Sequence, residues 1–294
     1  MEVKWLEDFL ALAQTLNFSK AADERNVTQS AFSRRIRQLE AWVGTSLIDR
    51  ATYPSRLTEA GKRFVPIAEQ TLQGLYQARR NLQHEEGNDA RTVTLTALHT
   101  LSFTFFPDWL SDLRGKLGPL VSHMRPDSGS MDENLNSLID GDSDFLLTYQ
   151  NLHVPMLLDP QFEHHTLGAE TIIPVSVPDA DGRPQHELEP GFSHVSYQKT
   201  SFFGQLVAGA FASRLPTDNR VHVGSHSVGL KAMALSGWGL AWIPESLINA
   251  ELADGRLVRA AETEWDIEVE IRLYRSKENR RPIVRKIWDV VAAG

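Results

Sequence analysis

Four arginines fall between Arg25 and Arg37 with no acid among them, in a chain whose formal net charge is −8. Arg34, Arg35 and Arg37 share one short segment with Gln29, Ser30 and Ser33. Glutamine can pair bidentately with adenine, arginine can do so with guanine N7 and O6, and hydroxyls and further guanidiniums hold phosphates. This chemistry makes Gln29 and Arg34 readers of base edges, and Ser30, Ser33, Arg37 and Arg56 phosphate contacts. Arg35, toward the flank of the apolar stripe, has the weakest claim. The competing reading is a solvated basic helix face, the usual fate of a charge run.

A second set of polar residues sits where strands give way to helices, at LHTLS, KTSFF and GSHSV. Each joint offers a hydroxyl and free backbone N–H groups at a helix start, which suits a carboxylate. The candidates are Thr100, Ser102, Thr200, Ser201, Phe203 and His226, with Thr148 and Tyr149 closing the far side. Taken singly, each hydroxyl is equally well explained as a helix cap without ligand. Phe103, Phe105 and Phe106 are expected in the core. His164–His165 and His222 with His226 lack cysteine or acid ligands at metal spacing, so no metal and no cofactor is expected. No Gly-x-Ser-x-Gly elbow, phosphate loop or dinucleotide fingerprint points to an enzyme.

The elements that must position these residues follow from periodicity. Val3, Leu6, Phe9, Leu10 and Ala13 recur at helical spacing; a short helix follows, capped by Ser19; Thr28 opens a third that stops before Gly44. Phe32, Ile36, Leu39 and Val43 form its buried stripe. Two short helices around a tight turn, the second basic on its outer face, read as a helix-turn-helix, and SLIDRATYPSRLTEAG supplies a two-stranded wing around a Tyr-Pro turn. A long helix follows to about Glu86. Phe64, Ala68, Thr71, Leu75, Ala78 and Leu82 alternate spacings of four and three, the seam of a coiled coil with a second copy; packing on its own domain is the alternative. Pro66 should bend its early part. HEEGNDA reads as a polar hinge. Beyond it strands and helices alternate, which predicts parallel sheets with helices on both faces in two lobes separated by a cleft, with IEVEIRLYR as a late, exposed strand. The resulting division is a winged helix-turn-helix over 1–58, a linker helix over 59–87 and an α/β ligand-binding domain over 88–294.

With 294 residues, 41% of them hydrophobic, the chain can build two to three folded domains. It has no cysteine, so disulfides and thiol chemistry are excluded. No apolar run approaches the roughly 20 residues of a membrane span, and the N-terminus lacks the blocks of a signal peptide. The expectation is a cytoplasmic protein with no membrane partner.

The run NFSKAADERNVTQSAFSRRIRQLEAWVGTSLIDR followed by LTEAGKRF, with the later LKAMALSGWGLAWIPESL, resembles LysR-type transcriptional regulators along essentially the whole chain. The resemblance implies a periplasmic-binding-protein-like α/β domain whose effector pocket is built from the three joints. It also implies a double-stranded operator as partner and a dimer or, more in keeping with the family, a tetramer, with RNA polymerase as a candidate further partner. NFSKAADERNVTQSAFSRRIRQLE and SYQKTSFFGQL are most similar to the hypochlorite-responsive subgroup. Two of that subgroup's sensing methionines fall on Phe203 and His226, while Met124, Met131, Met156 and Met233 sit elsewhere, outside the three joints. The expected function is therefore a DNA-binding regulator controlled by a small organic acid. The competing functions are a regulator switched by methionine oxidation and a two-lobed small-molecule-binding or enzymatic protein.

Overall fold

The computed structural model describes residues 1–50, 55–86, 91–125, 127, 130–156, 158, 160–212 and 214–293. The chain forms two compact units, Met1–Asn88 and Asp89–Gly294.

In the first unit, helices α1 (Val3–Thr15), α2 (Phe18–Glu24) and α3 (Gln29–Val43) pack around Leu6, Phe9, Leu12, Phe32, Ile36 and Leu39. The cap of α2 is Asn17, not Ser19: its side chain accepts from the N–H groups of Ser19 and Lys20, both at 3.0 Å. Asn17 lies just outside the helix, where an acceptor faces the unsatisfied N–H groups. Thr28 caps α3 by accepting from Ala31 N–H, and Gly44 ends it at φ +83°. Ile48–Asp49 (β1) pairs antiparallel with Arg56–Leu57 (β2); the Tyr-Pro turn between them lies outside the described residues. Helix α4 (Glu59–Glu86) begins hard against this wing. A Cβ on Gly61 would stand 2.1 Å from the Leu47 carbonyl oxygen, so only glycine fits there. Pro66 lies inside α4, and the hinge residues after Glu86 lie outside the described residues.

The seam expected on α4 needs correction at its start. Phe64 packs on Phe9 with ring centroids 5.5 Å apart, and Ala68 is fully buried in the same core with Leu72. These residues recur every four positions and follow the face turned to the head. Ile67, Thr71, Leu75 and Ala78 lie on the exposed face, and the Leu82 side chain is outside the described residues.

The second unit has strands β3 (Thr92–Ala97), β4 (Val121–Arg125), β5 (Phe145–Gln150), β6 (Phe162–Ser176), β7 (Phe192–Tyr197), β8 (Asp218–Gly224), β9 (Ala241–Pro244), β10 (Val258–Arg259) and β11 (Ile267–Ser276). Its helices are α5 (His99–Thr104), α6 (Phe106–Leu117), α7 (Met131–Ile139), α8 (Phe202–Phe211), α9 (Ser227–Leu235), α10 (Glu245–Ala253) and α11 (Pro282–Ala292). One sheet runs β10-β6-β11-β5-β3-β4, with β9 on β6; β7 and β8 form a small parallel sheet. The larger sheet is mixed rather than parallel: β3 is parallel to β4 and β5, but β11 is antiparallel to β5 and β6. Strand β11 is therefore central, not exposed. Ile267, Val269, Ile271 and Leu273 enter the core while Glu268 and Glu270 face out, so alternating composition marks one wet face rather than an edge. The long β6 and β11 carry the chain between two lobes. After the LHTLS joint the chain forms two helices, α5 and α6, broken at Phe105. Pro107 has no N–H to donate to the turn before it. The C-terminal α11 buries Ile283, Val284, Ile287 and Trp288, an amphipathic helix that the strand–helix reading left out.

Candidate DNA interface and ligand pocket

At the start of α3, Gln29, Ser30, Arg34 and Arg37 are exposed and Ser33 is half-buried; Arg56 is exposed on the wing. Positions 29, 33 and 37 repeat every four residues and keep to one side of the helix. Arg34 and Arg37 enter no ion pair among the described residues. Arg35 and Arg25 differ. Asp8, fully buried, accepts from Arg25 Nε at 3.0 Å and from Arg35 Nη1 at 3.2 Å, and Glu7 takes the rest of the Arg25 guanidinium. Two of the four arginines in the basic run are thus neutralised by acids from α1. The wing is held by Glu40, whose carboxylate accepts from the N–H groups of Leu47 at 2.9 Å and Ile48 at 3.1 Å and from Arg50 at 2.7 Å. The head therefore presents outward guanidiniums and amides on a helix of major-groove width.

In the second unit the starts of α5, α8 and α9 converge on one cleft of about 320 Å³, counted out to its open mouth. Thr100, Ser201, Phe203 and His226 line it, with His99, Asp127, Met131, Phe202 and Ser227. Three expected members lie elsewhere. Ser102 is turned back on its own helix, donating to the His99 carbonyl at 2.6 Å. Thr148 is fully buried mid-strand, bonded to the Tyr149 carbonyl, because β5 lies between β3 and β11. Thr200 is exposed. Tyr149 backs the cleft instead, its ring 5.4 Å from that of Phe203. Phe103 is not core: it is 60% exposed and packs on His99. Met131 corrects the expectation that all methionines lie outside the pocket, because α7 begins at its wall.

The three helix starts are not equivalent. Asp127 already serves α5, accepting from His99 N–H at 2.8 Å while its other oxygen accepts from Asn134 Nδ2 at 2.6 Å. At α8 the Ser201 hydroxyl is occupied, donating to the Gln198 carbonyl and accepting from Gly204 N–H at 3.1 Å. A Cβ at Gly204 would stand 1.9 Å from the Gln198 carbonyl oxygen, which fixes glycine in that turn. Helix α9 has His226 at its cap position with no side-chain cap. Beside it, buried Ser227 Oγ accepts from Thr100 Oγ1 at 3.0 Å and from the Tyr197 hydroxyl at 2.8 Å. Burial pushes the Tyr197 phenol well up, so it stays a donor. With two hydroxyls donating into it, Ser227 has its own proton left to offer an acceptor in the cleft.

The His99 and His226 rings meet at a tilt in the cleft with centroids 4.6 Å apart, and His226 Nδ1 lies 3.9 Å from the Asp127 carboxylate. Burial and the neighbouring His226 hold the His99 imidazole below its ordinary value, against the pull of Asp127. His164 and His165 are spent on aromatic contacts with Tyr274 and Trp288. Among the described residues no cluster of histidines and acids could hold a metal ion.

Sequence signals for Asp127 and Ser227 were weak. Asp127 sits in the loop after β4 rather than at a helix start, and Ser227 follows the histidine that drew attention to its joint.

Comparison with known proteins joins the two sites. Residues 3–62 match the model of the bacterial regulatory helix-turn-helix protein, lysR family, and residues 86–294 match the LysR substrate binding domain. The HTH-type transcriptional regulator YjiE of Escherichia coli K12 is 32% identical over 98% of this chain and 93% of its own. Full-length HypT of Salmonella typhimurium, a hypochlorite-specific LysR-type regulator, is 31% identical with a TM-score of 0.61, covering 100% of this chain and 97% of that one. DarR of Vibrio fischeri, solved in complex with DNA, is 29% identical with a TM-score of 0.60, covering 99% and 98%. The chain belongs to the LysR-type transcriptional regulators, DNA-binding proteins rather than enzymes.

Proposed function

We propose that a small organic acid, bound in the cleft among α5, α8 and α9, controls how this regulator holds its operator. The observation that carries the reading is the α9 start: an uncapped helix N-terminus beside a buried serine with a proton to give. Such a start favours negative charge and directs N–H groups at it. Phe202, Phe203 and Met131 supply the apolar wall for the rest of the molecule. Asp127 repels a second carboxylate, so a monoacid fits better than a diacid. On the DNA side, Gln29 and Arg34 read base edges, and Ser30, Ser33, Arg37 and Arg56 hold phosphates.

The exposed face of α4, with Ile67, Thr71, Leu75 and Ala78, is the surface for pairing with a second copy, and family likeness extends the dimer to a tetramer. RNA polymerase is a candidate further partner. No helix among the described residues is long and apolar enough to cross a membrane, and the site of action is proposed to be the cytoplasm.

The test is a thermal-shift panel of monocarboxylates and matched dicarboxylates on the full chain. A ligand that binds only the folded state raises the midpoint by mass action. The expected hits are monoacids with an apolar body; a panel in which no carboxylate raises the midpoint would reject the acid. Met131 favours a second reading, the oxidation switch, because a thioether in the cleft wall becomes polar on conversion to sulfoxide. A promoter response to hypochlorite that disappears when Met124, Met131, Met156 and Met233 are all leucine would select that reading.

A further inference from the structure

One polar network in the first unit joins α1, α3 and α4 with the residue that ends α2. It runs from Tyr76 on α4 to Glu7 on α1, from Glu7 to Arg25 after α2, from Arg25 to Asp8 on α1, and from Asp8 to Arg35 on α3. Two carboxylates face two guanidiniums, so their charges balance, and Asp8 at the centre is fully buried. Arg35 lies on the recognition helix between the outward Arg34 and Ile36. Its tie to Asp8 therefore fixes the rotation of the residues that face DNA.

The Tyr76 end fixes something else. Helix α4 rests on the head through Phe64, Ala68 and Leu72, an apolar contact that resists separation but sets direction weakly. The Tyr76 hydroxyl bonded to Glu7 is a directional contact seventeen residues along α4 from Glu59, about 25 Å at 1.5 Å per residue. Displacing the helix there by about 0.5 Å, enough to weaken a hydrogen bond, corresponds to a swing of only about one degree. The outward face of the same helix segment carries Ile67, Thr71 and Leu75, the face assigned above to a second copy.

We propose that Tyr76 and Glu7 are positioning residues for operator recognition: their bond locks the direction of the linker helix to the recognition helix and so sets the spacing at which two recognition helices of an oligomer meet DNA. This rests on the reading that α4 pairs two copies. Half-sites on a duplex lie about one helical turn or a multiple apart, so a wrong spacing puts the second helix on the wrong face.

The test is selection of duplexes from a random library by the full chain, comparing wild type, Tyr76→Phe and Glu7→Gln, with thermal midpoints measured in parallel. Phenylalanine keeps the ring and removes only the hydroxyl. Glutamine keeps an oxygen that can accept from Tyr76 but gives up the charge facing Arg25. Wild type should return paired half-sites at a single spacing. Tyr76→Phe should return the same half-site sequence over a spread of spacings, with about tenfold less discrimination between the preferred spacing and one base pair more or less. Glu7→Gln should lose more thermal stability yet keep the single spacing, an order that a purely structural role would reverse. A single, unchanged spacing for Tyr76→Phe overturns the proposal, as does a spread that tracks loss of stability in both variants. If wild type selects only isolated half-sites, pairing through α4 fails first, and the positioning role with it.

Discussion

The DNA-facing head and the ligand cleft handle charge in opposite ways. In the head, acids are turned inward: Asp8 and Glu7 neutralise Arg25 and Arg35 from behind, leaving Arg34, Arg37 and Arg56 facing outward. In the cleft the buried ion is itself an acid, Asp127, and no lysine or arginine lines the wall. On the proposed reading the head attracts phosphates at long range, and the cleft takes an anion at contact distance through hydroxyls and N–H groups. Salt should therefore act on the two regions unequally. Binding that releases counterions weakens steeply with ionic strength, whereas a neutral donor set inside a protein is screened far less.

The largest effect expected is on the assembly that joins the two regions. Leu75→Glu, or Ile67→Glu, places like charges opposite each other on the exposed face of α4. Light scattering should show loss of the dimer, and operator binding should fall below detection while the C-terminal unit keeps its thermal transition. An unchanged oligomer would show that this face is not the interface.

Next come the DNA contacts. Gln29→Ala should cost about 1–3 kcal/mol at one base position and relax preference there. Arg37→Ala should weaken all sequences alike and reduce the salt slope by about one. Anisotropy titrations on operator and random duplexes at several salt concentrations separate the two; equal losses on both duplexes for Gln29→Ala would remove it from base reading.

In the cleft, Ser227→Ala removes a donor and strands the Thr100 and Tyr197 hydroxyls together. Acid affinity should fall by about 1–3 kcal/mol, with little change in its salt dependence. A steep salt slope for acid binding would erase the contrast between the two regions.

The smallest effect concerns pH. Burial holds His99 and His194 below their ordinary value of 6.5, and burial with nearby Arg272 does the same for His164. The unfolded chain then binds more protons than the folded one just below pH 6.5, so stability rises with pH in that window and is lost as pH falls toward the folded values. Denaturant titrations of His194→Gln against wild type between pH 7.5 and about 5.5 should show a shallower decline in the variant. Parallel declines would place the acid sensitivity elsewhere.

How much of this was legible depended on distance along the chain. The recognition helix was readable because its stripe of Phe32, Ile36 and Leu39 and its polar residues share fifteen residues. The role of Arg35 was not, because its partner Asp8 lies 27 positions away. On α4 two apolar stripes interleave. Phe64, Ala68 and Leu72 turn inward and Ile67, Thr71 and Leu75 outward, and spacing alone could not apportion them. The joints at Thr100, Ser201 and His226 were visible as hydroxyls and an imidazole at helix starts. Asp127 was hidden in a loop, and Thr148 was misplaced because strand order, which buries β5 between β3 and β11, is not written in local pattern.

On the proposed reading, occupancy of the cleft changes the grip on DNA. The most direct measurement is operator affinity of the full chain, by anisotropy, with and without a saturating monoacid recovered from the thermal-shift panel, in wild type and Ser227→Ala. A shift in operator affinity in wild type that is lost in Ser227→Ala at the same acid concentration is the expected result. An equal shift in both proteins, or none in wild type while the acid is bound, would contradict it.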